Sequence, residues 1–368
     1  MKILHIIDSM GLGGAQTVLK GIFESQKTNS EIFLFSLRNR EINIEIDHSN
    51  VVINKFSKKY SIAPIKQLKT LIRKENIEII HCHLFKSQIF GYFLKLFYFP
   101  NIKLIFHEHG EIFQNHIIYN AFMKISRNRV DLYLAVSKAT KKHLIDKIKI
   151  HENKIHILYN FVDLNKFNSK NVSGNILNIR DKLRIEENEF VVGFVGRLSK
   201  IKGCKYLINS LPYLKFNYKC LIAGTGKELN KLKTLSKKLK VENKIIFLGY
   251  KDNIYEYYPL MNVLIIPSSS EASPMAFYEA QSLGIPVIGS DVTALNEFII
   301  DGKNGFLFKY GDFKKIAEIL NYLYDKKDIK FDIGQFSKEN IQKYSLENYI
   351  KNLYQIYDNI QTVSGNNY

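Results

Sequence analysis

Apolar runs and helical patterns alternate along almost the whole chain. In the first half, KILHIID (2–8), EIFLFSL (31–37), VVINKF (51–56), IEIIHCH (77–83), KLIFHEH (103–109), DLYLAVS (131–137) and KIHILYN (154–160) read as strands. In the second half FVVGFVG (190–196), YKCLIAG (218–224), KIIFLGY (244–250), VLIIPS (263–268) and PVIGS (286–290) do the same. Short β-rich runs bounded by turn residues, with helices between them, predict βαβ units on parallel sheets. The expected class is α/β, with two Rossmann-like domains whose parallel sheets face a cleft. The polar stretch NSKNVSGN (168–175) is the linker candidate. It divides the chain into a first domain over 1–167 and a second over 168–344. The segment 345–360 places Leu346, Ile350, Leu353 and Tyr357 at helical spacing and predicts an amphipathic helix. The final QTVSGNNY is expected to fray. In open α/β sheets, ligands bind at the carboxyl ends of the strands.

Composition narrows the classes. A chain of 368 residues that is 46% hydrophobic and 13% aromatic can bury two sizeable cores and is not a disordered chain. No run of about 20 apolar residues occurs, which argues against a spanning helix. The opening MKILHIIDSMGLGG reads as a first strand and loop rather than a signal peptide. Cys82, Cys204 and Cys220 are scattered and odd in number, which offers neither a disulfide framework nor a metal spacing and suits a reducing cytoplasm. The net charge of +18 is shared by both halves. It implies an acidic partner: nucleotide phosphates, an anionic membrane surface or nucleic acid. Abundant Ile, Lys and Asn fit an AT-rich genome, so part of the charge carries no function. Nucleic acid is the weakest of the three, because the aromatics follow strand or helix periodicity and no RNA-binding signature appears.

Four motifs can carry chemistry. GLGGAQ (11–16) follows the first strand and opens a helix, where Gly13 and Gly14 would let backbone approach a phosphate. It is not a full G-x-G-x-x-G pattern, and a plain tight turn has equal claim. GRLSKIKG (196–203) sets Arg197 and Lys202 on a short loop after a strand. Two cations there suit a diphosphate leaving group, though a solvated basic turn would look alike. EASPMAFYE (271–279) brackets a helix start with Glu271 and Glu279. Ser273 is the expected N-cap and Pro274 the first helical residue, leaving the N–H groups of Met275, Ala276 and Phe277 to face an anion. An acid-capped surface helix is the bland alternative. The pairs HCH (81–83) and HEH (107–109) end two strands. Zinc is disfavoured, since no Cys or acid recurs at ligand spacing. A hydrogen-bonding or proton-shuttling role suits a strand-end histidine better, whereas His81 reads as packing. No Asp-x-Asp occurs, so a metal-bridged diphosphate is not expected, nor is any cofactor.

Taken in order, the Gly-Gly loop, the strand-end histidine, YNFVD (159–163), GRLSKIKG, Glu271-x7-Glu279 and NEFIIDGKNGFLF (296–308) resemble glycosyltransferase family 4, the retaining enzymes of GT-B fold. The resemblance implies a nucleotide-sugar donor, with a UDP-sugar favoured, and a lipid-linked or cell-surface glycan acceptor. It implies that Arg197 and Lys202 hold the diphosphate, Glu279 the ribose hydroxyls and Glu271 the transferred sugar. Met275, Ala276 and Phe277 would reach phosphate and sugar through their amides, and Gly13 and Gly14 would close on the phosphates. His109 would lie near the reacting carbon, with His107 as the rival. Helix 345–360 would return to the first domain. The chain departs from the family pattern in EAS, where E-G-F is common, and in TALNE (293–297), where a Gly pair is usual; both bear on donor identity. A GT-B sugar-nucleotide epimerase, which would need no acceptor, is the enzymatic alternative. The segment 84–106 interleaves Lys86, Lys95 and Lys103 with aromatics, which suits either a surface resting on anionic lipid or a buried helix. The expected location is the cytoplasm, with peripheral attachment to the inner face of the membrane.

Overall fold

The computed structural model describes residues 1–26, 29, 31–40, 43–54, 62–110, 116–168, 176–292 and 294–362, the side chains of Lys327 and Thr362 excepted. It divides into two compact units, Met1–Asn160 with Leu346–Tyr368, and Phe161–Ser345. Most of the linker candidate, 169–175, lies outside the described residues, as do Thr293, the end of the run VVINKF and the last six residues. No helix among the described residues is long and apolar enough to cross a membrane.

The first unit holds a seven-stranded sheet: β1 (Ile3–Ser9), β2 (Ile32–Arg38), β3 (Val51–Ile53), β4 (Ile79–His83), β5 (Lys103–Glu108), β6 (Leu132–Ala135) and β7 (Ile155–Ile157). Its strand order is β3-β2-β1-β4-β5-β6-β7. The second unit holds six: β8 (Phe190–Val195), β9 (Tyr218–Ala223), β10 (Ile245–Gly249), β11 (Val263–Ile266), β12 (Val287–Ser290) and β13 (Gly305–Phe308), in the order β10-β9-β8-β11-β12-β13. Every pairing is parallel. Both sheets are therefore doubly wound, as the alternating pattern predicts. The order reverses between β1 and β4 in one unit and between β8 and β11 in the other. Those are the switch points where such sheets open to ligands.

Each sheet has its own core. Leu4, Ile6, Ile80, Cys82, Leu104 and Phe106 build one, and Val192, Phe194, Cys220, Ile222, Val263 and Ile265 the other. All three cysteines are buried thiols, and burial pushes each thiol pKa up. The carboxyl-terminal helix Leu346–Thr362 belongs to the first unit and buries Tyr349, Leu353 and Tyr357.

Two expectations need correction. β13 is absent from the strands anticipated above, because four residues inside NEFIIDGKNGFLF are too short to give a β pattern. Several expected strands, such as DLYLAVS, KIHILYN and VLIIPS, also run past their true carboxyl ends. DLYLAVS stops at Ala135, because Ser137 turns the chain by accepting the Thr140 N–H at 3.2 Å as a helix N-cap.

Candidate active site

The loops at the carboxyl ends of β8 and β11 form the candidate site of the second unit. The β8 loop runs from Gly196 to Gly203 and leads into the helix Cys204–Ser210. The β11 loop runs from Pro267 to Pro274 and leads into the helix Met275–Ser282. The two loops lock together. Ile201 accepts a hydrogen bond from the Ser269 N–H at 2.7 Å. Gly203 has φ +63, and a Cβ there would stand 1.9 Å from the Pro267 carbonyl oxygen. Only glycine satisfies both conditions at that crossing.

This lock brings Lys202 to Glu271. The Lys202 ammonium donates to Glu271 Oε1 at 2.6 Å and Oε2 at 2.8 Å, and Ser268 Oγ donates to Oε1 at 2.6 Å. Glu271 is 7% exposed, so its charge is shielded from water and met by an ammonium and a hydroxyl. Lys202 is thus held at the strand ends rather than waving in solvent. Arg197 lies five residues earlier on the same loop and is exposed.

The helix start differs from expectation. The helix begins at Met275, and Pro274 is the N-cap, with ψ 121 and no side-chain cap. Ser273 is not the cap: its hydroxyl shares a 2.7 Å hydrogen bond with the Tyr278 hydroxyl. The Phe277 N–H is also spoken for, donating to the Pro274 carbonyl at 3.1 Å. Met275 and Ala276, both partly exposed, make no backbone N–H bond among the described residues. Two amides rather than three are therefore available to an anion. Glu279 lies one turn further on, 8% exposed, and its Oε2 accepts from the Tyr258 hydroxyl at 2.6 Å. Burial raises its pKa, while that hydrogen bond and the nearby Lys166 pull the other way.

Sequence reasoning missed the brace behind Arg197. GTG (224–226) ends β9, and a Cβ on Gly224 (φ +134) would lie 1.9 Å from the Gly196 carbonyl oxygen. The Leu198 N–H donates to the Thr225 carbonyl at 2.8 Å. A Gly-x-Gly directly after a strand was the available signal. Tyr258 was also missed, because nothing local links it to Glu279.

In the first unit, Gly13 is the N-cap of the helix Gly14–Ser25. Its φ of 174 is ordinary extended backbone, so what glycine supplies there is the missing side chain. The Gly13 carbonyl accepts both the N–H and the hydroxyl of Thr17 at 3.1 Å. His107 is fully buried, whereas His109 is partly exposed as a residue. Glu108 between them faces the other way, accepting from Gln88 at 2.6 Å and Tyr119 at 2.7 Å. His81 is buried, but as a hydrogen-bonded polar group rather than inert packing, with the Tyr357 hydroxyl at 2.7 Å. A concavity lined by Glu189, Phe190, Asn262, Lys330 and Lys338 opens beside the start of β8. That is the amino end of the strand, away from the switch point, and it is not assigned.

Comparison with known proteins bears on the family and the fold. The glycosyltransferase family 4 model matches residues 23–166, and the "glycosyl transferases group 1" model matches 175–340. The N-acetyl-alpha-D-glucosaminyl L-malate synthase of Bacillus anthracis is 23% identical over 301 residues, 79% of this chain and 78% of that one. The UDP-Gal:alpha-D-GlcNAc-diphosphoundecaprenol alpha-1,3-galactosyltransferase of Escherichia coli is 26% identical over 287 residues, 73% of each chain. The crystal structure of Anabaena Alr3699/HepE in complex with UDP-glucose superposes with a TM-score of 0.84 at 20% identity, over 98% of this chain and all of that one. Such likeness fixes the fold as GT-B, two Rossmann-like α/β units. With two family models tiling the chain on either side of the 169–175 segment, the chain belongs to glycosyltransferase family 4.

Proposed function

We propose that the protein is a retaining glycosyltransferase that moves a hexose or N-acetylhexosamine from a UDP-sugar to a lipid-linked or cell-surface glycan. The observation that carries this reading is the Lys202–Glu271 pair, fixed at the β8–β11 switch point beside a helix start. In this reading Arg197 and Lys202 neutralise the charge that builds on the diphosphate as the glycosidic bond to it breaks. The Met275 and Ala276 amides take phosphate oxygens, with Phe277 shaping the turn. Glu279 accepts from the ribose hydroxyls, with Tyr258 holding its other oxygen. Glu271, its charge balanced by Lys202, orients a sugar hydroxyl. Gly13, Gly14 and His109 are the first unit's proposed contacts to phosphate and sugar. The cations come from side chains, so no metal is assigned to the reaction.

UDP as the carrier is supported by the UDP-glucose bound to the Anabaena protein and by the donor of the E. coli galactosyltransferase. The test is a thermal-shift series over UDP-, GDP- and ADP-sugars with EDTA present. A ligand that binds only the folded state stabilises it by mass action, about 2.7 kcal/mol at a hundred times Kd. A rise with a UDP-sugar that EDTA leaves intact is the expected result. A rise only with another base, or only with added Mn²⁺ or Mg²⁺, contradicts the reading.

A lipid-linked acceptor requires access to a bilayer, and we propose peripheral attachment at the inner face of the membrane. The helix Phe85–Phe97 exposes Ile89, Phe93 and Phe97 at four-residue spacing, and the helix Ile117–Ser126 exposes Ile117, Ile118 and Ile125. Of the three interleaved lysines, Lys95 is withdrawn from lipid contact by Asp131, at 2.5 Å. Sedimentation with vesicles containing anionic lipid is expected, and should weaken as salt rises. Failure to sediment at any salt would point to a soluble acceptor.

A further inference from the structure

Five histidines of the first unit hold one another. His5 on β1, His81 and His83 on β4, and His107 on β5 share one face of the sheet, with His5 beside His81 and His83 beside His107 in the strand register. These four are fully buried, as is Tyr357 of the carboxyl-terminal helix. His109 follows the end of β5 on the same face.

The contacts run in a line. His107 Nδ1 meets His81 Nε2 at 3.2 Å, and His81 Nδ1 meets the Tyr357 hydroxyl at 2.7 Å. That hydroxyl meets His5 Nε2 at 3.5 Å, the longest link. His5 Nδ1 meets His83 Nε2 at 2.9 Å, and His83 Nδ1 meets His109 Nε2 at 2.8 Å. Within this group two buried ring nitrogens have no partner among the described residues, His107 Nε2 and His109 Nδ1. They are the two ends of the line.

The proton count constrains this line. Burial lowers the pKa of every one of these histidines, to about 3 for His5 and His109, so all five are neutral near pH 7. A neutral imidazole carries one N–H and one lone pair, and a phenol one O–H. Six groups then bring six protons to five hydrogen bonds. If all the bonds point one way, every internal group is satisfied and the sixth proton emerges at an end. Either His109 Nδ1 donates and His107 Nε2 accepts, or the reverse. Conversion moves one proton across each of the five bonds, takes one up at one end and releases one at the other, and creates no charge.

A metal centre competes for the same nitrogens. Ligand atoms of His83, His107 and His109 lie within 4.8 Å of one another, as do those of His5, His81 and His83. In a metal centre each imidazole gives one nitrogen to a common point. Here His81 and His83 each use both nitrogens on two different neighbours, which makes a line rather than a hub.

We propose that His107, His81, Tyr357, His5, His83 and His109 form one coupled hydrogen-bonded chain, in which the donor or acceptor state of His109 Nδ1 is tied to that of His107 Nε2. The ends take hydroxyl groups, whose single oxygen can donate to one state of the chain and accept from the other. His81, Tyr357, His5 and His83 are positioning residues for His109. What His109 does to a sugar rests on the transferase reading; the chain itself does not.

The experiment is imidazole ¹⁵N NMR on the full chain near pH 7, with total metal analysis of the same sample. Scalar couplings between nitrogens across the three His–His bonds are expected in the wild type, with no stoichiometric metal. Tyr357→Phe keeps the packed ring and cuts the chain, and is expected to change the tautomer ratio of His109, which Tyr357 does not touch. Absent couplings, about one equivalent of zinc, copper or nickel, or an unchanged His109 ratio in a folded Tyr357→Phe protein would each overturn the proposal. The wild-type couplings decide the matter if that variant does not fold. UDP-glucose, added as a probe, separates the sources of the hydroxyl. A shift at His109 Nδ1 relayed to His107 assigns a sugar hydroxyl. Signals unchanged while UDP-glucose binds would overturn the positioning role.

Discussion

Lys202→Ala and Arg197→Ala are each expected to lower kcat/KM for sugar transfer by about 10²–10³, equivalent to roughly 2–4 kcal/mol of transition-state stabilisation. The reason is the leaving diphosphate, whose charge grows as the bond breaks and is met by these cations. The two variants should differ in stability. Arg197 is exposed, so its removal should cost less stability than that of Lys202. Lys202 holds a carboxylate that is 7% exposed, and its loss leaves Glu271 with Ser268 as its remaining side-chain donor among the bonds described above. A buried charge deprived of its partner is destabilising. Lys202→Ala should therefore also lower the unfolding midpoint, and a double variant with Glu271→Gln should recover stability without recovering activity. Steady-state kinetics and thermal unfolding read both effects. Near-wild-type kcat/KM in either single variant would remove that cation from the donor site.

Gly203→Ala is expected to destabilise the second unit by about 2–4 kcal/mol, a sum of left-handed backbone cost and forced movement of the loop. Gly203 has φ +63, and its new Cβ would lie 1.9 Å from the Pro267 carbonyl oxygen, which is backbone and cannot swing aside. The β8 and β11 loops would have to separate. Lys202, the neighbouring residue, would then lose its register with Glu271. The substitution should thus reduce activity through geometry alone, with every proposed donor-contacting side chain still present. Denaturant unfolding and transfer kinetics check this. An unfolding midpoint equal to wild type would mean that the loop relaxes freely and that the lock between the strands does not matter.

Much of this arrangement was legible in the residues, for identifiable reasons. Buried parallel strands are long apolar runs, so twelve of the thirteen could be placed from pattern alone. β13 could not, since Gly305–Phe308 is short and borders a turn. The loops carrying Arg197, Lys202 and Glu271 were readable because glycine and proline punctuate them. The Lys202–Glu271 contact was not, because it joins residues 69 positions apart through a backbone bond from Ser269 to Ile201. Ser273 followed the rule for a helix cap, yet pairing with Tyr278 prevailed, which shows tertiary packing overriding local propensity. His5 and Tyr357 gave no motif at all. Their meaning depends on register between β1 and β4 and on where the last helix docks, neither of which a single sequence states.

The most direct test of the central claim is a crystal structure of the protein with UDP. The account predicts the diphosphate at the carboxyl ends of β8 and β11, touching the Met275 and Ala276 amides, Arg197 and Lys202, with the ribose at Glu279. UDP bound elsewhere, or bound there through a metal ion with Arg197 and Lys202 turned away, would contradict it.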